Sequence, residues 1–103
     1  MKAYVLRRHG KPAVLQPTDV LVPELKHEQV RVNIECIGLN YAEIMARKGF
    51  YGWAPQMPYT LGMEAYGSIE AIGDGVSARA VGDKVIIGTQ YGCYAEKFVG
   101  HWQ

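Results

Sequence analysis

Histidine and cysteine side chains are the residues of this 103-residue chain best suited to bind a metal or act as nucleophiles. Cys36 and Cys93 are single and far apart, which favours two buried free thiols in a reducing cytosol over a disulfide or a metal pair. No Gly-x-Ser-x-Gly motif is present, and no serine or cysteine has an obvious histidine partner. The histidines are scattered, and none has the spacing of a zinc ligand: His9, His27 and His101. The sequence therefore predicts neither a metal site nor nucleophilic catalysis.

The closest approach to a dinucleotide-binding motif is the turn Gly73-Asp74-Gly75. It lacks the rest of the Gly-x-Gly-x-x-Gly pattern, and no clear helix follows it. We interpret it as a turn between strands.

Short β-rich runs separated by glycine and proline must position any functional side chain. Residues 29–37 alternate with period two, which places Val30, Val32, Ile34 and Cys36 on one face of a half-buried strand. The other predicted strands are 3–7, 13–22 (interrupted at Pro17), 65–72, 84–87 and 94–99. Many short strands and twelve glycines predict a mainly β fold, a partly open β-barrel.

One short helix is predicted, over about residues 40–48. Asn40 is a good N-cap, Glu43 completes the pattern of a capping box, and Gly49 is suited to the C-terminal end. The helix would bury an apolar face formed by Tyr41, Ile44 and Met45. The loop that follows, residues 50–60, is either a lid or a packed segment, with the packed segment favoured. Its aromatic residues are Phe50, Tyr51, Trp53 and Tyr59.

Composition indicates a single domain over residues 1–103. The formal net charge is +1 with no basic run, which gives no support to a nucleic-acid or anionic-membrane partner. The longest purely apolar run is Ala3–Leu6, and no signal peptide is visible, so we expect a cytoplasmic protein.

Several motifs occur together in one order: G-L-N-Y-A-E from Gly38, R-K-G-F-Y from Arg47, L-G-M-E-A-Y-G from Leu61, and V-G-D-K-V from Val81. In this order and spacing they resemble the N-terminal GroES-like catalytic domain of the medium-chain dehydrogenase/reductase superfamily. The zinc alcohol dehydrogenases of that superfamily carry cysteine at the position of Asn40 and histidine at the position of Met63. Neither asparagine nor methionine is a plausible zinc ligand in such a site. The resemblance therefore implies the zinc-free, quinone oxidoreductase-like branch.

The same resemblance implies roles for five residues, four of them with an alternative. Asn40 would face the nicotinamide or substrate and hydrogen-bond a carboxamide or quinone carbonyl, although an N-cap role is also open. The phenol of Tyr51 would orient a carbonyl or donate a proton, unless it is a surface loop aromatic. Tyr41 and Gly62 would border the cofactor cleft, and Glu64 matches the acidic residue of the family's Gly-His-Glu motif. For Tyr41 the alternative is core packing, and for Glu64 it is structural hydrogen bonding.

In this family, hydride transfer from NADPH takes place in a cleft between the catalytic domain and a Rossmann domain. The present residues include no Rossmann domain, so we expect no cofactor to be bound by this chain alone and activity to require a separate nucleotide-binding chain. An uncovered cleft face and sheet edge also lead us to expect a homodimer. The alternatives are a stand-alone module that binds a small aromatic or quinone-like ligand, and a co-chaperonin-like ring protein, which the proline-rich loop 50–60 fits poorly.

Overall fold

The computed structural model describes residues 1–52 and 54–102, so Trp53 lies outside the described residues. The elements in chain order are β1 (Lys2–Leu6), a 3-10 turn (Pro12–Val14), β2 (Leu15–Asp19), β3 (Gln29–Gly38), α1 (Tyr41–Lys48), β4 (Tyr59–Thr60), β5 (Glu64–Ile72), β6 (Lys84–Gly88) and β7 (Lys97–His101). The prediction of a mainly β fold with one short helix is confirmed. In the described part of the chain, no helix is long and apolar enough to cross a membrane.

The strands form two antiparallel sheets that do not close into one barrel. One sheet has the order β2-β1-β4 and the other the order β6-β5-β3-β7. The bridge Ala3–Ala95 and a hydrogen bond from the Tyr4 N–H to the Tyr94 carbonyl join the two sheets. Each sheet has its own apolar core. Val32 and Ile69 are central to the core of the larger sheet, and Leu6 and Leu61 to the core under α1.

Strand β3 follows the predicted alternation only as far as Ile34. Val30 and Val32 are buried, as predicted, but Cys36 is exposed, so the prediction of two buried thiols is wrong for Cys36. The register against β5 shifts between Ile34 and Cys36, where Glu35 is an extra residue. A β-bulge of this kind reverses which side chains face the core.

Helix α1 also differs from its predicted pattern. It begins after Asn40 and ends before Gly49, whose φ of 89° suits glycine, so both predicted ends are correct. The predicted apolar face is wrong, because Tyr41 is 71% exposed and Ile44 is also exposed. The residues that the helix buries are Glu43 and Ala46. Hydrogen bonds to the Glu43 carboxylate decide which face turns inward.

Other observed elements differ from their predicted bounds for local reasons. β2 is an edge strand and contains Pro17, which is tolerated there because an edge position needs no donor on its outer side. β7 begins at Lys97 rather than at Tyr94, since Ala95 pairs with Ala3 of β1 and the Glu96 N–H donates to the Lys2 carbonyl of β1. The loop after α1 packs partly against the core through Tyr51 and Met57, whereas Phe50 is exposed.

Candidate functional site

A buried carboxylate lies at the centre of the region from which the family motifs come. Glu43 is only 2% exposed. Its Oε1 accepts hydrogen bonds from the Asn40 N–H at 2.8 Å and from the Tyr94 hydroxyl at 2.6 Å. Its Oε2 accepts from the Met63 N–H at 2.7 Å. We refer to Asn40, Glu43, Met63 and Tyr94 as the Glu43 cluster.

The position of Glu43 in α1 explains how a carboxylate is buried without a cation. It stands in the first turn, where the backbone N–H groups of the helix carry a partial positive charge. Three donors occupy its two oxygen atoms, and such charge-assisted hydrogen bonds are among the stronger ones in proteins. The carboxylate therefore joins the start of α1 to the segment before β5 and to the segment before β7.

In the segment before β5, position 62 is packed too tightly for any residue larger than glycine. Gly62 is buried and has a φ of 113°, which disfavours every other residue. A Cβ at this position would lie 2.5 Å from the backbone nitrogen of Tyr94. The Leu61 and Gly62 carbonyls accept from the N–H groups of Tyr94 and Cys93, respectively. Gly62 thus holds the two segments of the Glu43 cluster at close approach.

Burial and the local charges suppress ionisation of the neighbouring side chains. Burial, together with the charges of Glu43 and Glu64, raises the pKa of the Cys93 thiol to about 11. Burial and the hydrogen bond to Glu43 also raise the pKa of the Tyr94 phenol. At neutral pH both groups are therefore protonated, and Tyr94 acts as a hydrogen-bond donor.

The structure brings together three of the residues singled out from the sequence. Asn40 is half-buried at the start of α1. Its N–H and the Met63 N–H both donate to the Glu43 carboxylate, which brings Asn40 to the segment that contains Gly62 and Glu64. Glu64 is exposed, and its side chain lies over Gly38, where a Cβ would overlap it. Among the described residues, the Glu64 carboxylate makes none of the structural hydrogen bonds that were expected as its alternative role.

The other two residues lie apart from this group. Tyr41 follows Asn40 but points to solvent, so its alternative role in the core is wrong. Tyr51 is half-buried at the far end of α1 and packs against the core beneath the helix. Asn40 precedes the first residue of α1 and Tyr51 follows its last turn, and eight helical residues extend about 12 Å.

Sequence reasoning missed Glu43 and Tyr94 as functional residues. Glu43 was interpreted only as part of a capping box, and its bond to the Asn40 N–H confirms that role. Its two further partners, Met63 and Tyr94, lie 20 and 51 residues away in the chain, so no local sequence pattern predicts them. The one sequence signal for a buried role was the position of Glu43, a charged residue between the predicted apolar-face residues Tyr41 and Ile44.

An apolar groove of about 340 Å³ lies beside the Glu43 cluster. It is lined by Tyr4, Pro12, Leu15, Ile37, Leu39 and Tyr94. Leu39 precedes Asn40, and Tyr94 donates to Glu43, so the groove shares two segments with the cluster. Within residues 1–52 and 54–102, no three His, Cys, Asp or Glu side chains are arranged to hold a metal ion.

Comparison with known proteins shows which family the chain belongs to. The family model described as alcohol dehydrogenase GroES-like domain matches residues 26–101. The chain is 41% identical over 98 residues to the quinone oxidoreductase of Rattus norvegicus, covering 93% of this chain and 30% of that protein. It is 46% identical over 77 residues to the synaptic vesicle membrane protein VAT-1 homolog of Danio rerio, covering 75% of this chain and 16% of that protein.

The crystal structure of Escherichia coli quinone oxidoreductase complexed with NADPH has the same fold, with a TM-score of 0.89 and 28% identity. The match covers 96% of this chain and 30% of that one. The chain therefore belongs to the alcohol dehydrogenase GroES-like domain family, and its relatives include quinone oxidoreductases of the medium-chain dehydrogenase/reductase superfamily. It spans less than a third of the length of each relative named here.

Proposed function

We propose that this chain is the catalytic-domain portion of a zinc-independent, NADPH-dependent quinone reductase-like enzyme that acts together with a nucleotide-binding unit. The observation that carries the proposal is the Glu43 cluster, which holds Asn40 and Met63 together at the two family positions discussed above. An amide and a thioether are poor ligands for zinc, but an amide is well suited to hydrogen-bond a carbonyl. Relatives named quinone oxidoreductase support the same substrate class.

The described residues fit only one end of a dinucleotide. Asn40 offers an amide to the carboxamide of a nicotinamide ring, and Tyr41 offers an exposed aromatic ring beside it. The turn Gly73–Gly75 leads to β6 without an intervening helix, so it offers no helix N-terminus to a pyrophosphate. We therefore assign most of the cofactor contacts to the nucleotide-binding unit.

In the proposed reaction, this chain orients the carbonyl of the acceptor. The Asn40 amide donates to the quinone oxygen, and its backbone is anchored through Glu43 so that the donor is positioned in advance. We propose that Tyr51, at the opposite end of α1 from Asn40, contacts a second polar group of the ligand. When bound, NADPH supplies the hydride, and one further proton completes the hydroquinone.

Titration of the purified chain with NADPH and a quinone such as menadione, followed by fluorescence, tests this proposal. The same assay is repeated with an added nucleotide-binding domain from a quinone oxidoreductase. We expect quinone reduction only in the mixture and its loss in Asn40→Ala, with Leu21→Ala as an exposed control remote from the site. Saturable NADPH binding by the chain alone would overturn the need for a partner. A mixture without activity or binding would overturn the enzyme proposal.

The apolar groove beside Leu39 supports a second candidate, a binding module without catalysis. Its walls are largely apolar, and its volume suits a small aromatic or quinone-like molecule. This function predicts that menadione binds the chain alone, independently of NADPH, and that Leu15→Asn weakens binding. If Leu15→Asn binds menadione as the wild type does, the groove is not the binding site.

A further inference from the structure

Positive charge is concentrated at one place on the surface of this chain. Of its eleven lysine and arginine residues, four pair with carboxylates, which leaves seven without a carboxylate partner among residues 1–52 and 54–102. Five of these seven come from two short segments, the loop after β1 and the last turn of α1: Arg7, Arg8, Lys11, Arg47 and Lys48. We refer to these five residues as the basic patch. Arg47 is half-buried, and the other four are exposed.

Hydrogen bonds hold the two segments of the basic patch against each other. The Gly10 N–H donates to the Arg47 carbonyl at 2.8 Å, and the Arg47 Nη1 donates to the Gly10 carbonyl at 2.7 Å. The His9 ring lies against Gly49, where a Cβ would be 2.8 Å from His9 Nδ1. Because Gly10 and Arg47 are 37 residues apart, the fold creates a basic surface although the sequence contains no basic run.

The acidic residues of the chain lie elsewhere. Residues 7–15 and 44–52 contain neither aspartate nor glutamate. Glu43 is buried in the first turn of α1, at the opposite end of the helix from the patch. Asp19 pairs with Lys2 at the start of β1, whereas the patch lies beyond the last residue of that strand. The positive charge of the patch is therefore not balanced by a carboxylate of either segment.

The helix dipole explains only part of this arrangement. Cations in the last turn of a helix are favoured by its partial negative charge, and Arg47 and Lys48 occupy that position. Arg7, Arg8 and Lys11 belong to a loop that has no such requirement. Their position beside the end of α1 therefore calls for a second explanation.

An exposed aromatic side chain adjoins the basic patch. Phe50 follows Gly49 at the end of α1, and its N–H donates to the Met45 carbonyl, which fixes its backbone. Its side chain is 71% exposed. Neither Phe50 nor any residue of the basic patch lines the apolar groove described above. The cations and the phenyl ring therefore form an open surface that is separate from that groove.

We propose that the basic patch and Phe50 bind the surface of an anionic lipid bilayer, in contrast to the expectation from composition. Each lysine or arginine near such a surface contributes about a fivefold factor to the partition coefficient, and an exposed aromatic ring enters the interface beside the cations. A single-stranded nucleic acid would instead require several rings on which its bases stack. Tyr51, the next aromatic residue, packs into the core and does not extend such a stacking surface.

Co-sedimentation with vesicles of phosphatidylcholine and phosphatidylserine measures the partition coefficient, and vesicles of phosphatidylcholine alone control for charge. Arg8→Gln combined with Lys48→Gln removes two exposed cations of the patch and should lower the coefficient by about 25-fold. Lys26→Gln combined with Arg79→Gln removes the same net charge at two exposed cations outside the patch. This control should change the coefficient by less than about threefold, because charges farther from the bilayer than the Debye length of about 10 Å are screened.

Phe50→Ala tests the aromatic contact. It should lower the coefficient for the anionic vesicles by about fivefold, because a partly buried phenyl ring contributes about that factor. Leu21→Ala, at a side chain that is 92% exposed and outside the patch, should leave the coefficient unchanged. Raising the salt concentration from about 0.1 M to about 1 M should release the wild-type chain from the vesicles.

Three results would overturn the proposal. The first is an equal loss of binding in the two double variants, because binding would then follow net charge alone. The second is a wild-type chain that does not sediment with the anionic vesicles at about 1 mM lipid in low salt. The third is tighter binding to a single-stranded oligonucleotide than to the vesicles. Binding is compared for chains whose circular dichroism matches the wild type.

This inference is independent of the proposed function. None of the substituted residues belongs to the Glu43 cluster, and the vesicle assay contains neither NADPH nor a quinone. Failure of vesicle binding therefore leaves the reductase proposal intact, and failure of quinone reduction leaves the bilayer proposal intact.

Discussion

Replacing Tyr94 or Tyr59 by phenylalanine deletes a hydroxyl from a half-buried ring or from a buried ring of the same core, and we expect opposite effects on stability. The Tyr94 hydroxyl donates to the buried carboxylate of Glu43 at 2.6 Å. The Tyr59 hydroxyl is buried and has no hydrogen-bond partner among the described residues. Both rings contribute to the core beneath α1, so the phenyl ring retains the apolar packing in each case.

The magnitudes follow from the hydrogen bonds. A bond to a charged group contributes about 1.5–3 kcal/mol, so Tyr94→Phe should lower the free energy of unfolding by about 2 kcal/mol. A buried hydroxyl without a partner costs roughly 1–3 kcal/mol, so Tyr59→Phe should raise the same quantity by up to about 1 kcal/mol. For a domain of this size, each 1 kcal/mol shifts the melting temperature by roughly 4–8 °C.

Urea unfolding followed by circular dichroism measures both changes, with equal m-values required for the comparison. Combining Tyr94→Phe with Glu43→Gln should give a coupling energy of about 1–2 kcal/mol, because the two groups contact each other directly. If Tyr94→Phe is neutral, the Glu43 cluster does not stabilise the fold as argued. If Tyr59→Phe is destabilising, its hydroxyl has a partner that the described residues do not include.

Three further predictions concern the same region. Gly62→Ala should be strongly destabilising in thermal melts because of its contact with Tyr94, whereas Gly82→Ala has a similar φ but open space and should cost only about 1–2 kcal/mol. Cys93→Ala should reduce the loss of stability at alkaline pH. Folding raises the pKa of the Cys93 thiol from 9.0 to about 11, so the stabilisation by this thiol is complete below pH 9 and is lost toward pH 11. In urea unfolding, the free energy of unfolding of the wild type should fall by about 1.4 kcal/mol per pH unit across that window, and that of the variant should fall less. Asn40→Ser keeps a capping hydroxyl and should unfold within about 0.5 kcal/mol of wild type, yet lose quinone reduction in the reconstituted mixture as Asn40→Ala does; full activity in Asn40→Ser would leave only the capping role.

Much of the fold could be predicted because its signals are local. The alternation of Val30 and Val32 places a strand, and the Asn40 and Gly49 ends bound the helix. These patterns depend on neighbouring residues, and the physical rules that govern them act over a few positions. The family motifs added the fold type, and the family match confirmed it.

The failed predictions have non-local causes. The bulge at Glu35 exposes Cys36 because the register of β3 is set by pairing with β5. The inward face of α1 was predicted from apolar spacing, but hydrogen bonds from Met63 and Tyr94 brought Glu43 inside instead. A short helix has little stability of its own, so the bonds of its surroundings select the buried face.

The sequence by itself determined where the helix begins and ends, most of the strands although not β4, and which family the motifs resemble. Only the tertiary structure decided that Asn40, Gly62 and Glu64 lie around one buried carboxylate while Tyr51 lies apart at the other end of α1. It also decided that β6 has an unpaired edge with Ile86 exposed at its centre. The reason is that side-chain burial and hydrogen-bond partners depend on contacts between residues distant in the chain. Local spacing carries no information about which distant segment packs against a given residue.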